Sequence, residues 1–209
     1  MTLSDFPHTT QHSKEERVRR RIRSALIDLC EEKGYYAVKV NDICTYTELS
    51  RSTFYRYYVN KDDLLRDVEK QYVDDTRNIT KKFRSLDRTA VENHSLLLQE
   101  LTEDMRYHQK HRNLCLFLLS PAGDPYFARY MKEGLADSMT YSWRLAGLSM
   151  GKYHKYAISL ASNGFVNIIY EWLKNQDCTA EEIAYFLYVT LQEMPSAINH
   201  GLKHDGKYQ

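Results

Sequence analysis

Residues 50–61 read SRSTFYRYYVNK, and this stretch decides the fold of the first part of the chain. Ser50 is a good N-cap residue, so the pattern predicts a short helix that begins at Arg51. Phe54 and one of the tyrosines three or four positions later are predicted to face a core. The outward face then carries arginines, hydroxyl groups and a tyrosine. Such a surface suits the DNA major groove, where arginine reads guanine and hydroxyl groups bind phosphates.

Two further helices are predicted before this stretch. Ser13–Lys33 has apolar residues at three and four spacing, and Gly34 is expected to end that helix. Val40–Tyr46 forms a shorter helix, and Thr47–Leu49 make a tight turn into the helix that begins at Arg51. A helix, a second helix, a tight turn and a recognition helix follow one another in this order in helix-turn-helix DNA-binding domains.

A fourth helix is predicted to begin directly after the recognition helix. Asn60 is placed to cap it, and Lys61 lies in its first turn. A cation is disfavoured at that position by the helix dipole, unless an anion such as phosphate binds there. The pattern therefore favours Lys61 as a phosphate contact.

Residues 13–65 resemble the DNA-binding domain of the tetracycline-repressor (TetR) family of bacterial transcription regulators. The matching segments are VNDIC from Val40, LSRSTFYRYY from Leu49 and NKDDLL from Asn60. Glu48 departs from the resemblance, because the family usually has glycine in the turn, and Tyr58 stands where phenylalanine is usual. If position 48 needs a positive φ, glutamate costs about 1 kcal/mol there, and its charge would also lie near DNA.

The DNA surface expected from the pattern and the resemblance consists of seven residues of the recognition helix and the next helix start. The alternative is an ordinary three-helix core whose polar face is simply solvated. The seven residues are Arg51, Ser52, Thr53, Tyr55, Arg56, Tyr57 and Lys61.

The distribution of charge agrees with a DNA-binding domain at the start of the chain, followed by a larger second domain. The chain has 209 residues, enough for one large or two small domains. Residues 1–61 carry a balance of +3, and the remainder carries −2. Five arginines lie between Arg17 and Arg23, either as a solvated helix face or as phosphate contacts. The expected organisation is a flexible tail over 1–12, a helix-turn-helix domain over 13–61 and a ligand-binding and dimerisation domain over 62–209.

Metal, cofactor, membrane and enzyme functions find no support in the sequence. Nucleophile motifs, phosphate-binding glycine loops and paired catalytic carboxylates are not found, so an enzyme is not predicted. His108 and His111 are three apart without a ligand partner, and a solvent-facing or capping role is expected for them. No signal peptide and no membrane-spanning run is present, so the protein is expected in the cytoplasm. The four cysteines are far apart and show no paired ligand spacing: Cys30, Cys44, Cys115 and Cys178. Cys30 and Cys44 lie at or beside apolar helical positions, so buried thiols are expected rather than metal ligands or disulfides.

The rest of the chain is predicted to be helical, which gives an all-α protein of about nine helices. The alternation of strands and helices that marks a parallel sheet is not found. Leu114–Leu119 is apolar on nearly all sides and is therefore expected to be buried. Breaks are expected at the proline and glycine residues around position 123 and at Gly147. The predicted helices are Lys61 to about Phe83, Val91–Lys110, Leu114–Leu119, Tyr126–Leu145, one over 157–172, and Ala180–Met194.

The last two helices are predicted to form a homodimer interface. The helix over 157–172 carries a single apolar stripe that includes Leu160. The final helix has two apolar faces, one with Ile183, Leu187 and Leu191 and another with Tyr185, Tyr188 and Val189. TetR-like proteins dimerise through their last two helices in a four-helix bundle, so the resemblance implies a homodimer that reads two half-sites of a palindrome. The alternative is that both faces are buried within one chain.

The resemblance also implies a cavity for a small-molecule effector in the helical body. The expected function is a repressor that a small effector releases from double-stranded DNA. The alternative is a TetR-like coactivator or DNA-architecture factor that acts through a protein partner. Aromatic and polar side chains are candidates for the lining, with an ordinary core role as the alternative for each. They are Tyr72, Tyr107, His108, Phe117, Tyr126, Phe127, Tyr130, Tyr141, Trp143 and Phe165.

Overall fold

A computed structural model describes residues 8–84, 94–121, 123–145, 147 and 151–204. Every regular element in these ranges is helical, with nine α-helices and two short 3-10 helices. The chain divides into two compact units, Met1–Gln71 and Tyr72–Gln209. The all-α fold predicted from the sequence is thereby confirmed.

The first unit contains helices α1 (His8–Lys33), α2 (Val40–Thr47), α3 (Arg51–Tyr57) and the first part of α4 (Lys61–Arg84). Helix α1 begins five residues earlier than predicted, because the first strong helix breaker upstream of Ser13 in the sequence is Pro7. The core of the unit is apolar and comes from all four helices. Its fully buried members include Ile22, Ala25, Leu26, Ile43, Phe54, Leu64 and Val68.

The turn after α1 uses the conformational freedom of glycine. Gly34 has φ 76°, and its N–H donates to the carbonyl of Cys30 at 2.9 Å. A positive φ at the end of a helix satisfies the last carbonyls and favours glycine. The predicted end of the first helix is therefore confirmed, with a single 3-10 turn (Tyr35–Ala37) before α2.

The second unit contains the remainder of α4 and five further helices. They are α5 (His94–Lys110), α6 (Arg112–Leu119), α7 (Pro125–Leu145), α8 (His154–Asn175) and α9 (Ala180–His204). Helix α5 packs on α9, α7 packs on α8, and α6 contacts both α7 and α8. The predicted helix start at Val91 lies outside the described residues. Helix α9 continues to His204 past Pro195, so the predicted end at Met194 is wrong.

Helix α6 is less buried than its apolar sequence predicts. Leu114, Cys115 and Leu118 are buried, whereas Leu116 and Phe117 are only half-buried. The expectation that this helix is buried on nearly all sides is therefore wrong. Helix α6 contacts α5, α7 and α8, and in the described part of the chain these contacts leave Leu116 and Phe117 half-buried.

Candidate nucleic-acid interface and effector pocket

A hydrogen-bonded group of hydroxyls begins the recognition helix α3. Ser50 caps the helix, because its Oγ accepts the Thr53 backbone N–H at 3.1 Å. The same Oγ lies 2.8 Å from the Ser52 Oγ and 2.8 Å from the Thr53 Oγ1. The N-cap predicted from the sequence is confirmed. Ser50 and Ser52 are exposed and Thr53 is partly exposed, and hydroxyl groups are common donors to the phosphates of DNA.

The inner face of α3 is fixed by Phe54 and Tyr58, both almost fully buried. The Tyr58 hydroxyl donates to Asp67 Oδ2 at 2.6 Å, and Arg23 donates to the same oxygen at 3.0 Å. Burial by itself raises the pKa of the Asp67 carboxyl, but these two hydrogen bonds and the positive charges of Arg23 and Arg19 together hold that pKa below its usual value. The tyrosine at position 58 thus ties α3 to both α1 and α4, which a phenylalanine cannot do.

The outer face of α3 gathers most of the predicted DNA-binding residues. Its base-reading candidate is Arg51, since a guanidinium can pair with guanine in two hydrogen bonds. The face is open to solvent along the length of the helix. Arg51, Ser52, Tyr55 and Arg56 are exposed, and Thr53 and Tyr57 are partly exposed.

Two arginines lie over the ring of Tyr57. The guanidinium carbons of Arg56 and Arg19 are 5.2 Å and 5.6 Å from the ring centroid. Arg19 also lies 5.3 Å from the ring of Tyr58. Arginine above an aromatic face is a favourable cation–π arrangement. The sequence indicated Arg19 only as one member of a basic run, and the contact with Tyr57 adds it to the candidate interface.

Lys61 is held largely within its own unit. Its Nζ donates to the carbonyls of Tyr35 and Val38, both at 2.9 Å, and lies 4.0 Å from the Tyr35 ring centroid. Burial lowers the pKa of Lys61, and the nearby Asp62 opposes that shift. An ammonium group has three N–H donors, and two of them are used in these hydrogen bonds. The cap before it is confirmed, because the Asn60 Oδ1 accepts the Asp63 N–H at 2.8 Å.

Glu48 occupies the turn of the helix-turn-helix in a left-handed conformation, with φ 53° and ψ 31°. Position 48 therefore has the positive φ for which glycine is suited. The carboxylate is almost fully exposed and lies 3.7 Å from the guanidinium of Arg21. An exposed ion pair of this length contributes little to stability.

A small pocket lies in the second unit, between α4, α5, α7 and α8. The space open to a water-sized molecule is about 30 Å³, which is far less than a drug-sized ligand occupies. Two of the residues predicted to line an effector site, Tyr130 and Phe165, border it. The complete lining is Val73, Thr76, Arg77, Asp104, Tyr130, Met131, Gly134, Leu135, Ser138, Phe165 and Ile169.

A buried polar cluster adjoins this pocket through Asp104. The Tyr72 hydroxyl lies 2.6 Å from His108 Nδ1, and His108 Nε2 lies 3.5 Å from Asp104 Oδ2. Burial alone lowers the pKa of His108, but the nearby Asp104 carboxylate opposes this and raises the pKa to about 10. His108 is fully buried, so the solvent-facing or capping role expected for it is wrong. Its partner Tyr72 comes from another helix.

The other predicted lining residues lie apart from the pocket. Phe127 is buried with its ring 5.5 Å from that of Tyr72, and the Tyr107 hydroxyl donates to Asp75 at 3.0 Å. Trp143 is buried, and its ring centroid lies 5.9 Å from that of His154. Elsewhere the structure leaves three aromatic rings at least partly open to solvent. These are Phe117, Tyr126 and Tyr141.

Helices α8 and α9 expose large apolar side chains. Leu160 and Tyr156 of α8 are 65% and 63% exposed. The stripe predicted on α8 is therefore two stripes, because Ala161 and Phe165 are buried while Leu160 faces solvent. On α9 the buried side carries Ile183 and Leu187. Its exposed apolar residues are Tyr185, Phe186 and Val189.

Sequence comparison matches this chain to two family models. Residues 22–68 match the model of bacterial regulatory proteins of the tetR family, and residues 97–193 match a transcriptional regulator C-terminal region. No curated protein matches the sequence. The matched residues 22–68 contain the helix-turn-helix described above, so fold, interface and comparison agree.

Solved structures with the same fold include three transcription regulators. A TetR transcriptional regulator from Streptococcus agalactiae has 19% identity and a TM-score of 0.61, over 88% of this chain and 99% of that one. The dihydroxyacetone kinase operon activator DhaS has 15% identity and a TM-score of 0.64, over 86% and 96%. FadR from Bacillus subtilis, in complex with stearoyl-CoA, has 14% identity and a TM-score of 0.62, over 82% and 96%. At these identities the likeness shows the fold alone.

The fold and the interface define a DNA-binding transcription regulator of a class that is generally non-enzymatic. The chain belongs to the TetR family of bacterial regulatory proteins. Within the described ranges, helices long and apolar enough to cross a membrane are not found. In the same ranges, groups of three or more side chains placed to hold a metal ion are not found either.

Proposed function

We propose that this protein is a dimeric repressor that binds a palindromic operator through α3 and releases it when a small molecule binds the helical body. The observation that carries the DNA-binding part is the division of α3 into two faces. Phe54 and Tyr58 are buried, while Arg51, Ser52 and Arg56 form an exposed polar face. Arginine and hydroxyl side chains on such a face are the usual means of contacting base edges and phosphates.

Substitution of Arg51 tests this assignment. An operator selected from random duplexes with the wild-type protein is titrated in a gel-shift assay. Arg51→Ala is expected to weaken binding by about 1–3 kcal/mol and to relax base preference at one position of each half-site. Arg129→Ala is the matched control, since Arg129 is an exposed arginine on α7 and outside the α3 face. Equal losses in the two variants would show that general charge, and not base reading, explains the effect.

Dimerisation is proposed from the apolar surface of α8 and α9. The exposed Tyr156, Leu160, Tyr185 and Phe186 are large side chains on the two helices that the family resemblance assigns to dimerisation. Large exposed apolar patches are typical of interaction sites. Two copies related by a two-fold axis would place two α3 helices on successive half-sites of a palindrome.

Release by an effector is proposed from the pocket beside α4. Helix α4 begins next to α3, and its later residues Val73, Thr76 and Arg77 border the pocket. A ligand that moves these three residues therefore moves part of α4, the helix that directly follows α3 in the chain. FadR from Bacillus subtilis was solved with stearoyl-CoA. The pocket described here is far smaller than an acyl-CoA, so the proposed effector is a smaller molecule.

An activator that works through a protein partner is the second candidate function. It is favoured by the exposed rings of Tyr126 and Tyr130 on α7, both with Arg129 close to their faces at 4.8 Å and 5.8 Å. Tyrosine and arginine are enriched at protein interfaces. Transcription in vitro from a template with the selected operator separates the two functions, because a repressor lowers transcript yield and an activator raises it.

A further inference from the structure

Two side chains in the first turn of α4 bind the short segment that precedes α2. The Lys61 Nζ donates to the backbone carbonyls of Tyr35 and Val38, both at 2.9 Å. It also lies 4.0 Å from the centroid of the Tyr35 ring, which is a favourable cation–π distance. The neighbouring Asp62 accepts the Tyr35 hydroxyl at 2.6 Å. The start of α4 thus contacts the backbone, the ring and the hydroxyl group of one segment, residues 35–38.

The Lys61 ammonium ion already has the partners that a phosphate would have to replace. Two of its three N–H donors are used by the carbonyls, and an aromatic ring lies close to it. The Tyr35 side of this contact is buried, and Lys61 itself is only partly exposed. Hydrogen bonds from a charged donor are stronger than those between neutral groups. Movement of the ammonium ion onto DNA would therefore break strong contacts within the protein.

The charges beside Lys61 also disfavour a phosphate at the start of α4. Asp62 is exposed and Asp63 is partly exposed. The Asp63 N–H already donates to Asn60 Oδ1 at 2.8 Å, and the Asp63 Oδ2 accepts the Val59 N–H at 3.0 Å. The dipole of a helix favours an anion at its first turn, and here two carboxylates already supply that charge. A phosphate at this position would be repelled by both.

The segment that Lys61 contacts leads directly into the helix-turn-helix. Lys39 follows Val38 and is the residue before α2, which begins at Val40 and contacts α3. In helix-turn-helix domains the first helix crosses the DNA backbone while the second lies in the major groove. A change at the start of α2 therefore alters how the two helices fit DNA together.

We propose that Lys61 is a positioning residue for DNA binding, whose ammonium ion fixes residues 35–38 and the start of α2 to α4, and that it does not contact phosphate. This inference rests on the proposed DNA binding, and it replaces the phosphate contact that the sequence pattern favours for Lys61. Removal of the ammonium ion should then weaken DNA binding without changing the number of phosphates that the protein neutralises.

The salt dependence of operator affinity separates positioning from phosphate contact. Lys61→Met in the full chain removes the ammonium ion and keeps an unbranched side chain. Its affinity for the selected operator is measured by fluorescence anisotropy between about 50 and 200 mM salt, well below its melting temperature. We expect an affinity about threefold to tenfold lower at every salt concentration, because the loosened segment must be ordered when DNA binds. The slope of log affinity against log salt should equal that of wild type, whereas a lost phosphate contact lowers it by about 0.9 for each protomer bound.

Two further variants accompany Lys61→Met. Lys70→Met removes an exposed lysine from the same helix and should keep the affinity and melting temperature of wild type. Tyr35→Phe breaks the hydrogen bond to Asp62 and so loosens the same segment without removing a cation. It should also lower operator affinity at an unchanged salt slope, by less than Lys61→Met does. If Lys61→Met does not fold, Tyr35→Phe decides the question, and wild-type affinity in that variant would overturn the inference.

Hydrogen exchange without DNA measures the contact between Lys61 and the segment directly. The backbone amides of residues 36–47 should exchange faster in Lys61→Met than in wild type or Lys70→Met. The inference is overturned by a lower salt slope in Lys61→Met, by wild-type operator affinity in that variant, or by unchanged exchange. A wild-type protein that selects no operator from random duplexes would refute the proposed function. Faster exchange in Lys61→Met would then support only the contact with residues 35–38, and the part of Lys61 in DNA binding would fail.

Discussion

Replacement of Glu48 by glycine separates the two effects of a glutamate in the turn of the helix-turn-helix. The residue has φ 53°, a conformation that an L-residue adopts at a cost of about 1–2 kcal/mol. Glycine adopts this conformation without that cost, but its greater conformational freedom in the unfolded chain lowers the free energy of unfolding by about 0.5–1 kcal/mol. The glutamate also places a negative charge at the entrance to α3.

The expected magnitude follows from these terms and from the ion pair with Arg21. That pair is 3.7 Å long and largely exposed, so its loss costs about 0–0.5 kcal/mol. The midpoints of these ranges give a net gain of about 0.5 kcal/mol in unfolding free energy for Glu48→Gly. For a chain of this length, such a gain raises the melting temperature by roughly 1–2 °C.

Glu48→Gln is the matched control, because it removes the charge and keeps the strained backbone. Thermal melting followed by circular dichroism should give a higher melting temperature for Glu48→Gly than for wild type, and no increase for Glu48→Gln. Gel-shift titrations at low salt should show tighter operator binding for both variants, since both remove a charge that repels phosphate. Equal melting temperatures for the glycine and glutamine variants would refute the strain argument. Unchanged operator affinity in both would refute the charge argument.

Two further predictions concern the second unit. Leu160→Asp places a charge on the exposed apolar surface of α8 and should convert the dimer to a monomer in sedimentation equilibrium at micromolar concentration. The control Gln109→Asp places a charge on the exposed side of α5 and should leave the dimer intact. A monomeric wild type would contradict the proposed dimer. The pKa of His108 is raised in the folded state to about 10, above its unfolded value of about 6.5, so its stabilisation is complete below pH 6.5 and is lost as pH rises toward 10. Urea unfolding at pH 7, 8 and 9 should therefore show a decline of about 1.4 kcal/mol per pH unit in wild type that His108→Gln lacks, and parallel profiles would argue against an imidazolium at this position.

Features fixed by local interactions could be predicted from the sequence. The caps at Ser50 and Asn60 involve a side chain and a backbone N–H three residues later, so residue type and spacing suffice to identify them. The positive φ at position 48 was predictable as a requirement of the turn. The division of α3 into inner and outer faces also follows from its own spacing, once Tyr58 rather than Tyr57 is placed inside.

Features fixed by distant partners could not be predicted. The hydroxyl partner of His108 is Tyr72, which is 36 positions away on another helix, so no spacing within α5 indicates that this histidine is buried. The Lys61 ammonium donates to the backbone carbonyls of Tyr35 and Val38, in the segment before α2. Every residue has such a carbonyl, so the residue types in the sequence do not identify these acceptors. The two stripes of α8 are both apolar, and only the folded structure shows that Ala161 and Phe165 are buried while Leu160 is exposed.

The contact of Arg19 and Arg56 with Tyr57 has an entropic consequence for DNA binding. An arginine side chain that moves freely in solution loses up to about 2 kcal/mol of rotamer freedom when it is fixed on a partner. Here both guanidinium groups already lie over one ring before DNA arrives. Part of that ordering is therefore completed when the protein folds, and association with an operator starts from a surface that is already arranged.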